Sequence, residues 1–203
     1  MKVIVTAGPT REYIDTVRFI TNASSGKMGY ACAAAAAAAG HEVTLITGPV
    51  ALEVPAGVEV VRITTVKQLQ QALERRFDSC DALVMTAAVG DFTVRSPSAT
   101  KIPRSAAPFQ VTLAPTEDVL ARLGGRKRPR QVVVGFAVED TADEQKAYDE
   151  MLAKNCDYVV LNPPAAMGAD ESEACILSRD GVVLEWGRRS KRALAGEIVA
   201  LLK

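Results

Sequence analysis

The chain has 203 residues, of which 48% are hydrophobic, 24% are charged and 5% are aromatic. This composition is typical of a folded globular protein and excludes an intrinsically disordered chain, and the length favours one sizeable domain over two small ones. The 24 lysines and arginines are balanced by 24 aspartates and glutamates, so we expect no nucleic-acid partner.

The cysteines and the single histidine exclude a structural zinc site. Cys32, Cys80, Cys156 and Cys175 form no CxxC pair, and His41 is the only histidine. We interpret the cysteines as small buried side chains. No secretory signal precedes the first predicted strand, and no apolar run approaches the ~20 residues that span a bilayer. We therefore expect a cytoplasmic protein with no membrane partner.

The first half of the chain alternates strand and helix patterns. Short apolar runs predict buried strands at Lys2–Thr6, Glu42–Thr47, Val58–Ile63 and Ala82–Met85. An alanine-rich run over Gly26–Ala39 predicts a helix with slim side chains that packs closely on the sheet. An apolar stripe at helical spacing predicts a second helix through Val66, Leu69, Leu73 and Phe77.

The second half opens with an aperiodic segment, Ala87–Pro108, which contains three prolines and is either disordered or functional. We then predict strands at Phe109–Leu113, Gln131–Phe136 and Tyr158–Leu161, and a hairpin of Cys175–Ser178 with Val182–Trp186. Three helices are predicted between and after them: a short one that opens at Thr116–Asp118 and ends at Gly124, one at Thr141–Lys154, and a final one capped by Ser190. The basic run Arg126–Arg130 is interpreted as a solvated turn.

This order of elements predicts an α/β protein. We expect a Rossmann-like three-layer fold with a mostly parallel central sheet and an antiparallel C-terminal hairpin, built as one domain over residues 1–203. In such a sheet the ligand site lies in the loops beyond the carboxyl ends of the strands.

The strongest local signal is the polar, glycine-punctuated stretch Thr21–Gly29, directly before the alanine-rich helix. Helix N-termini bind phosphates through unpaired N–H groups, the hydroxyls of Ser24 and Ser25 add donors, and Gly26 allows close backbone approach. An ordinary serine N-cap is the equally simple alternative. The stretch is neither a Walker A loop nor the dinucleotide G-x-G-x-x-G fingerprint.

Two more loops follow predicted strands and would face the same crevice. Gly8 and Thr10 follow the first strand, so that both loops together could surround a polyphosphate. The stretch Thr86–Phe92 has small residues that leave room for a ligand. Its Asp91 could hold a metal ion or a ribose, although a carboxylate that bonds to its own turn is the simpler interpretation.

Two further candidates are weaker when taken singly. Lys101 could reach over the crevice as a mobile cation, or it could simply be solvated. The stretch Val134–Glu139 ends another predicted strand, where backbone groups of Phe136 and Ala137 could contact a base edge.

Together these segments resemble the phosphopantothenoylcysteine synthetase family. The resemblance is carried by Val5–Glu12, Asp15–Gly29, Ala87–Phe92, Lys101–Ile102 and Gly135–Glu139, followed by Lys154, Asp157 and Asn162. The matches run in order over nearly the whole chain. In bacteria this family is usually the second half of a bifunctional flavoprotein. The resemblance therefore implies a synthetase, free-standing or part of a longer protein, with no flavin and no flavin-binding decarboxylase domain in these residues.

The resemblance implies a two-step ligation in coenzyme A synthesis. The carboxylate of 4′-phosphopantothenate attacks the α-phosphate of CTP, which releases pyrophosphate and leaves an acyl cytidylate. The amine of cysteine then displaces CMP. Mg²⁺ would bridge the phosphate oxygens, and the family assembles its site in a homodimer. Aligning reactants, neutralising charge and excluding water require no histidine.

The resemblance also implies roles for single residues. Asn22 would hold the acyl intermediate and Lys101 would stabilise charge at the α-phosphate. The implied nucleotide-binding residues are Gly8, Thr10, Ser24, Ser25, Gly26, Ala87, Asp91, Phe92, Phe136 and Ala137. The implied substrate-binding residues are Asn22, Met28 and Ala88. Asp91 is the one candidate for a metal ligand.

The sequence departs from the family's pattern at three places. Pro103 and Arg104 stand where the family often has two lysines, and a proline stiffens what should be a movable flap around Lys101. Ser172 stands where the family tends to have asparagine. Asn162–Pro164 replaces the more usual Asn-Asp-Val, so no role is assigned beyond Asn162.

Three alternatives follow from these departures and from the motifs. The same ligation could use ATP, because base choice rests on backbone contacts that a sequence does not reveal. The chain could also be a nucleotide-binding module without turnover. A dehydrogenase is disfavoured because the glycine fingerprint and its acidic ribose ligand are absent.

Overall fold

An eight-stranded sheet runs through the middle of the computed structural model, which describes residues 1–203. The strands of the whole chain are β1 (Lys2–Ala7), β2 (Arg11–Tyr13), β3 (Phe19–Thr21), β4 (Glu42–Thr47), β5 (Val58–Arg62), β6 (Ala82–Met85), β7 (Phe92–Val94), β8 (Leu113–Pro115), β9 (Val132–Val138), β10 (Tyr158–Asn162), β11 (Glu171–Ser178) and β12 (Gly181–Ser190). The helices are α1 (Lys27–Ala38), α2 (Val66–Glu74), α3 (Val119–Gly124), α4 (Glu144–Ala153) and α5 (Lys191–Ala200).

The central sheet has the strand order β12-β11-β10-β9-β6-β1-β4-β5. Its strands from β10 to β5 are parallel, and β11 and β12 add an antiparallel hairpin at one edge. All four residues of β6 are buried, as expected for a strand covered on both faces. The predicted fold class, mostly parallel with an antiparallel C-terminal hairpin, is confirmed.

Helices cover both faces of this sheet and give two apolar cores. On one face α1 and α5 pack together, with Ala33 and Ile198 fully buried. On the other face α2, α3 and α4 bury Leu69, Leu123 and Met151 against the strands. No helix combines the length and the apolar surface that a bilayer span requires.

Helix α1 lies unusually close to the sheet at Gly29. A Cβ atom at this position would be 2.5 Å from Ala7 Cβ and 2.6 Å from the Thr6 carbonyl oxygen. The glycine therefore permits a helix-to-strand approach that any side chain would prevent. This approach places the N-terminus of α1 directly beside the end of β1.

The structure differs from the predicted elements in several short segments. The predicted strand at Phe109–Leu113 is wrong: the strand is β8, which begins at Leu113 and pairs with β7, while Phe109 is exposed. Neither the hairpin of β2 and β3 nor β7 is predicted, because strands of three residues are too short to show an alternation pattern. The second predicted helix ends at Glu74, so Phe77 lies in a separate 3₁₀ turn. The predicted start of α3 at Thr116–Asp118 agrees with the structure, in which the side chain of Asp118 caps the helix.

Candidate active site

A cleft of about 720 Å³ opens at the carboxyl ends of β6, β9 and β10. The chain runs outward from β1 through β4 to β5 and then returns to β6 on the other side of β1. Such a reversal of strand order separates the loops of the two neighbouring strands and creates a ligand crevice. The predicted residues that line the cleft are Asn22, Ser24, Ser25, Gly26, Met28, Ala87, Ala88, Asp91, Phe92 and Phe136.

Gly8 and Thr10 lie behind the cleft and support its wall. The N–H of Ala88 donates to the Gly8 carbonyl at 3.0 Å, and the N–H of Thr10 donates to the Ala88 carbonyl at 3.2 Å. The N–H of Gly90 donates to the buried hydroxyl of Thr10 at 2.9 Å. Main-chain bonds thus join the loops after β1 and β6. Gly8 and Thr10 fix the position of Ala88 and Gly90 without lining the cavity themselves.

The Asn22 loop forms the facing wall. The side-chain amide of Asn22 donates to the Val89 carbonyl at 3.0 Å. The hydroxyls of Ser24 and Ser25 accept long hydrogen bonds from the N–H groups of Gly26 and Lys27, at 3.3 and 3.5 Å. Neither serine caps the helix, because Gly26 is the N-cap residue and no side chain bonds there.

The N-terminus of α1 keeps free donors toward this cleft. Gly26 has a φ of 78°, and a Cβ atom there would be 3.0 Å from Val50 Cγ1 and 3.4 Å from the Gly8 nitrogen. Only glycine fits both the backbone angle and the space. The N–H groups of Met28 and Gly29 have no acceptor in the protein. These donors and the positive end of the helix dipole favour an anion.

Two lysines that the sequence did not single out line the same end of the cleft. Lys27 Nζ donates to the Gly168 carbonyl at 3.0 Å and to Asp170 at 2.7 Å. Lys191 Nζ donates to the nearly buried hydroxyl of Ser172 at 2.7 Å. Burial lowers the pKa of Lys191, and the positive charge of Lys27 lowers it further. Lys27 lies within the polar stretch Thr21–Gly29, but no motif around Lys191 indicates that it belongs to a binding site.

A third cation, Lys154, lies elsewhere on the cleft wall. Burial opposes its charge, but the carboxylates of Asp118, 3.3 Å away, and Glu150, 3.6 Å away, together raise the pKa of Lys154. Lys154 was part of the segments that carry the family resemblance. The structure therefore gives the cleft cationic side chains on more than one wall.

The remaining walls are acidic and apolar. Asp91 and Phe92 are exposed at the rim, and Phe136 is half-buried in the cleft. Ala137, the next residue of β9, faces the opposite side of the sheet and is buried in the core there, so its side chain does not reach the cavity. No group of three or more histidine, cysteine, aspartate or glutamate side chains is arranged to hold a metal ion.

Lys101 lies outside the cleft, and the structure holds its neighbour against the β2–β3 hairpin. The N–H of Ile102 donates to Asp15 Oδ2 at 3.1 Å, and the guanidinium of Arg18 donates to the Ile102 carbonyl. Asp15 is 1% exposed. Hydrogen bonding from the Arg18 N–H, together with those from Val17 and Ile102 and the Arg18 charge, lowers the pKa of Asp15 to about 2 despite burial.

Comparison with known proteins identifies the family. All 203 residues match the model of the DNA/pantothenate metabolism flavoprotein C-terminal domain. The chain belongs to this family. Among curated relatives, the coenzyme A biosynthesis bifunctional protein CoaBC of Bacillus subtilis is 40% identical over 97% of this chain and 50% of its own length. A protein named cysteine/cysteine sulfinic acid decarboxylase, from an unknown prokaryotic organism, is 38% identical over 98% of this chain and 56% of its own length.

The chain thus spans about half the length of the curated relatives that it matches. Solved structures agree with the family assignment. The crystal structure of the C-terminal domain of CoaBC is 33% identical, with a TM-score of 0.83 over 99% of this chain and 93% of that chain. A Cab2 variant in complex with phosphopantothenate-cysteine has the same fold at 19% identity, with a TM-score of 0.83 over 99% of this chain and 86% of that chain. The resemblance found in the sequence motifs is confirmed.

Proposed function

We propose that this CoaBC-family domain joins 4′-phosphopantothenate to cysteine, with CTP as the activating nucleotide. The observation that carries the proposal is the cleft between the Asn22 loop with the free N-terminus of α1 and the small residues after β6. The name of the Bacillus subtilis relative assigns that protein to coenzyme A biosynthesis, and the Cab2 variant with the same fold was solved with phosphopantothenate-cysteine. Both agree with the substrates proposed here.

In the first step a carboxylate oxygen of 4′-phosphopantothenate attacks the α-phosphorus of CTP. The bond from this phosphorus to the bridging oxygen breaks, and pyrophosphate leaves with the electron pair. The free N–H groups at the start of α1 and the ammonium groups of Lys27 and Lys191 are suited to bind phosphate oxygens. Lys101 would stabilise the charge that develops at the α-phosphate.

In the second step the amine of cysteine attacks the acyl carbon, the carbon–oxygen bond to the cytidylate breaks, and CMP leaves. The amine loses its proton to solvent. Asn22 would donate its amide hydrogen to the acyl oxygen, which carries negative charge as the tetrahedral intermediate forms. For this, the amide must exchange its present acceptor, the Val89 carbonyl, for the substrate. Ala88 and Met28, which also line the cleft, would contact the pantothenate portion.

The residues of the cleft are compatible with a Mg²⁺ ion whose ligands come mainly from the phosphate oxygens of the nucleotide. Mg²⁺ in nucleotide enzymes takes one or two carboxylates and completes its shell with phosphates and water. Asp91 is an exposed carboxylate on the cleft wall and has no cation partner, so it is free to serve as that ligand. When bound, the ion would neutralise triphosphate charge.

We include a homodimer in the proposal. The hairpins β2–β3 and β7–β8 are joined by a hydrogen bond from Thr93 to Glu12 at 2.7 Å. Their surface exposes six large apolar side chains: Tyr13, Val17, Phe19, Ile20, Phe92 and Leu113. Exposed apolar patches mark interaction surfaces. A second copy of the chain is the partner that the family resemblance implies, and light scattering would distinguish a dimer from a monomer.

The cellular location is also part of the proposal. Cys32, Cys80, Cys156 and Cys175 are buried and form no disulfide. Unpaired thiols fit a reducing compartment, so we propose that the enzyme acts in the cytoplasm.

One experiment tests the function directly. The protein is incubated with Mg²⁺, CTP and 4′-phosphopantothenate without cysteine, and acyl cytidylate is sought by mass spectrometry alongside pyrophosphate release. Both products are expected, and added cysteine should convert the intermediate. A parallel incubation with ATP separates the two nucleotides. CTP binding without pyrophosphate release would overturn the proposal and indicate a nucleotide-binding module.

A further inference from the structure

The two carboxylate oxygens of Asp15 have different tasks. Oδ1 accepts the N–H groups of Val17 at 2.8 Å and Arg18 at 2.7 Å, which closes the turn between β2 and β3. Oδ2 accepts the N–H of Ile102 at 3.1 Å, 87 residues away in the chain, and lies 3.0 Å from the Arg18 guanidinium. A turn of this kind needs only one acceptor oxygen. The second oxygen is therefore committed to a distant segment.

Ile102 is held from both sides of its backbone. Its N–H bonds to Asp15 and its carbonyl accepts from Arg18, while the N–H of Ser98 bonds to the Ile14 carbonyl at 2.9 Å. The turn of the hairpin thus fixes the chain just before and just after Lys101. Because neighbouring Cα atoms are about 3.8 Å apart, fixing Ile102 also fixes the backbone from which the Lys101 side chain extends.

We propose that Asp15 is a positioning residue that sets the place of Lys101 for the first half-reaction. This inference rests on the proposed function, because it takes Lys101, whose backbone lies outside the cleft, as the cation whose side chain reaches over to the α-phosphate. Asp15 itself is 1% exposed and does not line the cleft, so it acts through the Ile102 backbone rather than on substrate. Errors of about 1 Å in the placement of a catalytic group can cost on the order of 10²-fold in rate.

Asp15→Asn is the sharpest test. An amide keeps one acceptor oxygen for the turn but turns an NH₂ group toward a site already filled by the donors of Ile102 and Arg18. We expect single-turnover pyrophosphate release at saturating CTP and 4′-phosphopantothenate to slow by roughly 10- to 10²-fold. The KM for CTP should stay unchanged. Asp140→Asn, an exposed carboxylate outside the cleft, is the matched control.

A double-mutant cycle separates positioning from a general structural role. If Asp15 acts through Lys101, the variant Asp15→Asn/Lys101→Gln releases pyrophosphate no more slowly than Lys101→Gln alone. If the two losses multiply, or if Asp15→Asn alone leaves the rate unchanged, the proposal is wrong. Lys67→Gln, on the exposed side of α2, controls for loss of a surface charge.

Two further measurements keep the outcome clear. Ile102→Pro removes the N–H that bonds to Asp15, together with the isoleucine side chain, while Asp15 and the hairpin turn stay unchanged, so it should also slow pyrophosphate release even if Asp15→Asn folds poorly. Hydrogen exchange at Ile102 should be faster in Asp15→Asn than in the native protein, which tests the contact without any assay of turnover. A native protein that releases no pyrophosphate would overturn the proposed function, whereas unchanged exchange at Ile102 would overturn the positioning role alone.

Discussion

Asn22 and Val89 are joined across the candidate active site by a hydrogen bond of 3.0 Å from the side-chain amide to the backbone carbonyl. Asn22 precedes α1 and Val89 follows β6, so this single contact links the two loops that form opposite walls. The amide hydrogens therefore already point across the cleft. A substrate oxygen that displaced the Val89 carbonyl would meet a donor that needs little rearrangement.

Replacing Asn22 by aspartate should abolish this donor. A carboxylate at the same place would repel the Val89 carbonyl and an acyl or phosphoryl oxygen alike. We expect Asn22→Asp to lower the rate of product formation by roughly 10²-fold or more and to leave CTP affinity largely intact. Steady-state kinetics and equilibrium binding measure the two effects. Gln71→Glu makes the same change from amide to carboxylate on the exposed side of α2 and should leave the rate of product formation unchanged. If Asn22→Asp turns over substrate at the native rate, Asn22 is a loop residue without a catalytic role.

The segment Gly90–Pro108 should become protected when both substrates bind. Its first part is already held, since β7 pairs with β8 and Ile102 is bonded to the hairpin. Beyond Ile102, the one side-chain bond within the segment is local, from the Ala107 N–H to Ser105. We expect hydrogen exchange between Pro103 and Pro108 to slow markedly with CTP and 4′-phosphopantothenate together, and less with CTP alone. High protection in the free protein would mean a static connection and no lid.

Gly29→Ala should destabilise the fold through overpacking. The new Cβ would lie 2.5 Å from Ala7 Cβ, which forces α1 away from the sheet at a cost of about 1–3 kcal/mol, partly offset by helix propensity. Gly196→Ala in α5 is the matched control, since nothing lies within 4 Å of its added Cβ. That change should raise the free energy of unfolding by up to about 1 kcal/mol. Urea unfolding measures both, and equal effects would contradict the close approach at Gly29.

Asp15 should contribute to stability in a defined pH range. Its pKa is about 2 in the folded protein against an ordinary value of 3.8, so the folded state favours the ionised carboxylate. This contribution is complete above pH 3.8 and is lost as pH falls toward 2. The difference in unfolding free energy between the native protein and Asp15→Asn should therefore shrink between about pH 4 and pH 2. A difference that is constant over this range would show that ionisation of Asp15 does not stabilise the fold.

The sequence predicts the features that depend on neighbouring residues. The alanine run gives α1, and short β-branched runs give the buried strands, because these patterns report helix propensity and burial directly. The contact of Asp15 with Ile102 spans 87 residues, and that of Lys191 with Ser172 joins a helix to a strand. No local pattern encodes such pairs. Phe109 shows the converse case, in which an alternating pattern lies in exposed chain just before the strand begins.

The wall after β6 is held through the backbone groups of its own residues, and this affects how the site can change during evolution. Ala87 donates to the Thr6 hydroxyl at 3.0 Å, and Ala88 both donates to and accepts from the loop after β1. None of these bonds uses an alanine side chain, so small substitutions at the two positions can reshape the cavity without breaking its support. Loss of one residue between Met85 and Gly90 would shift every bond out of register. The length of this loop is therefore a stricter requirement than its composition, and new substrate preferences can arise there by substitution but not by deletion.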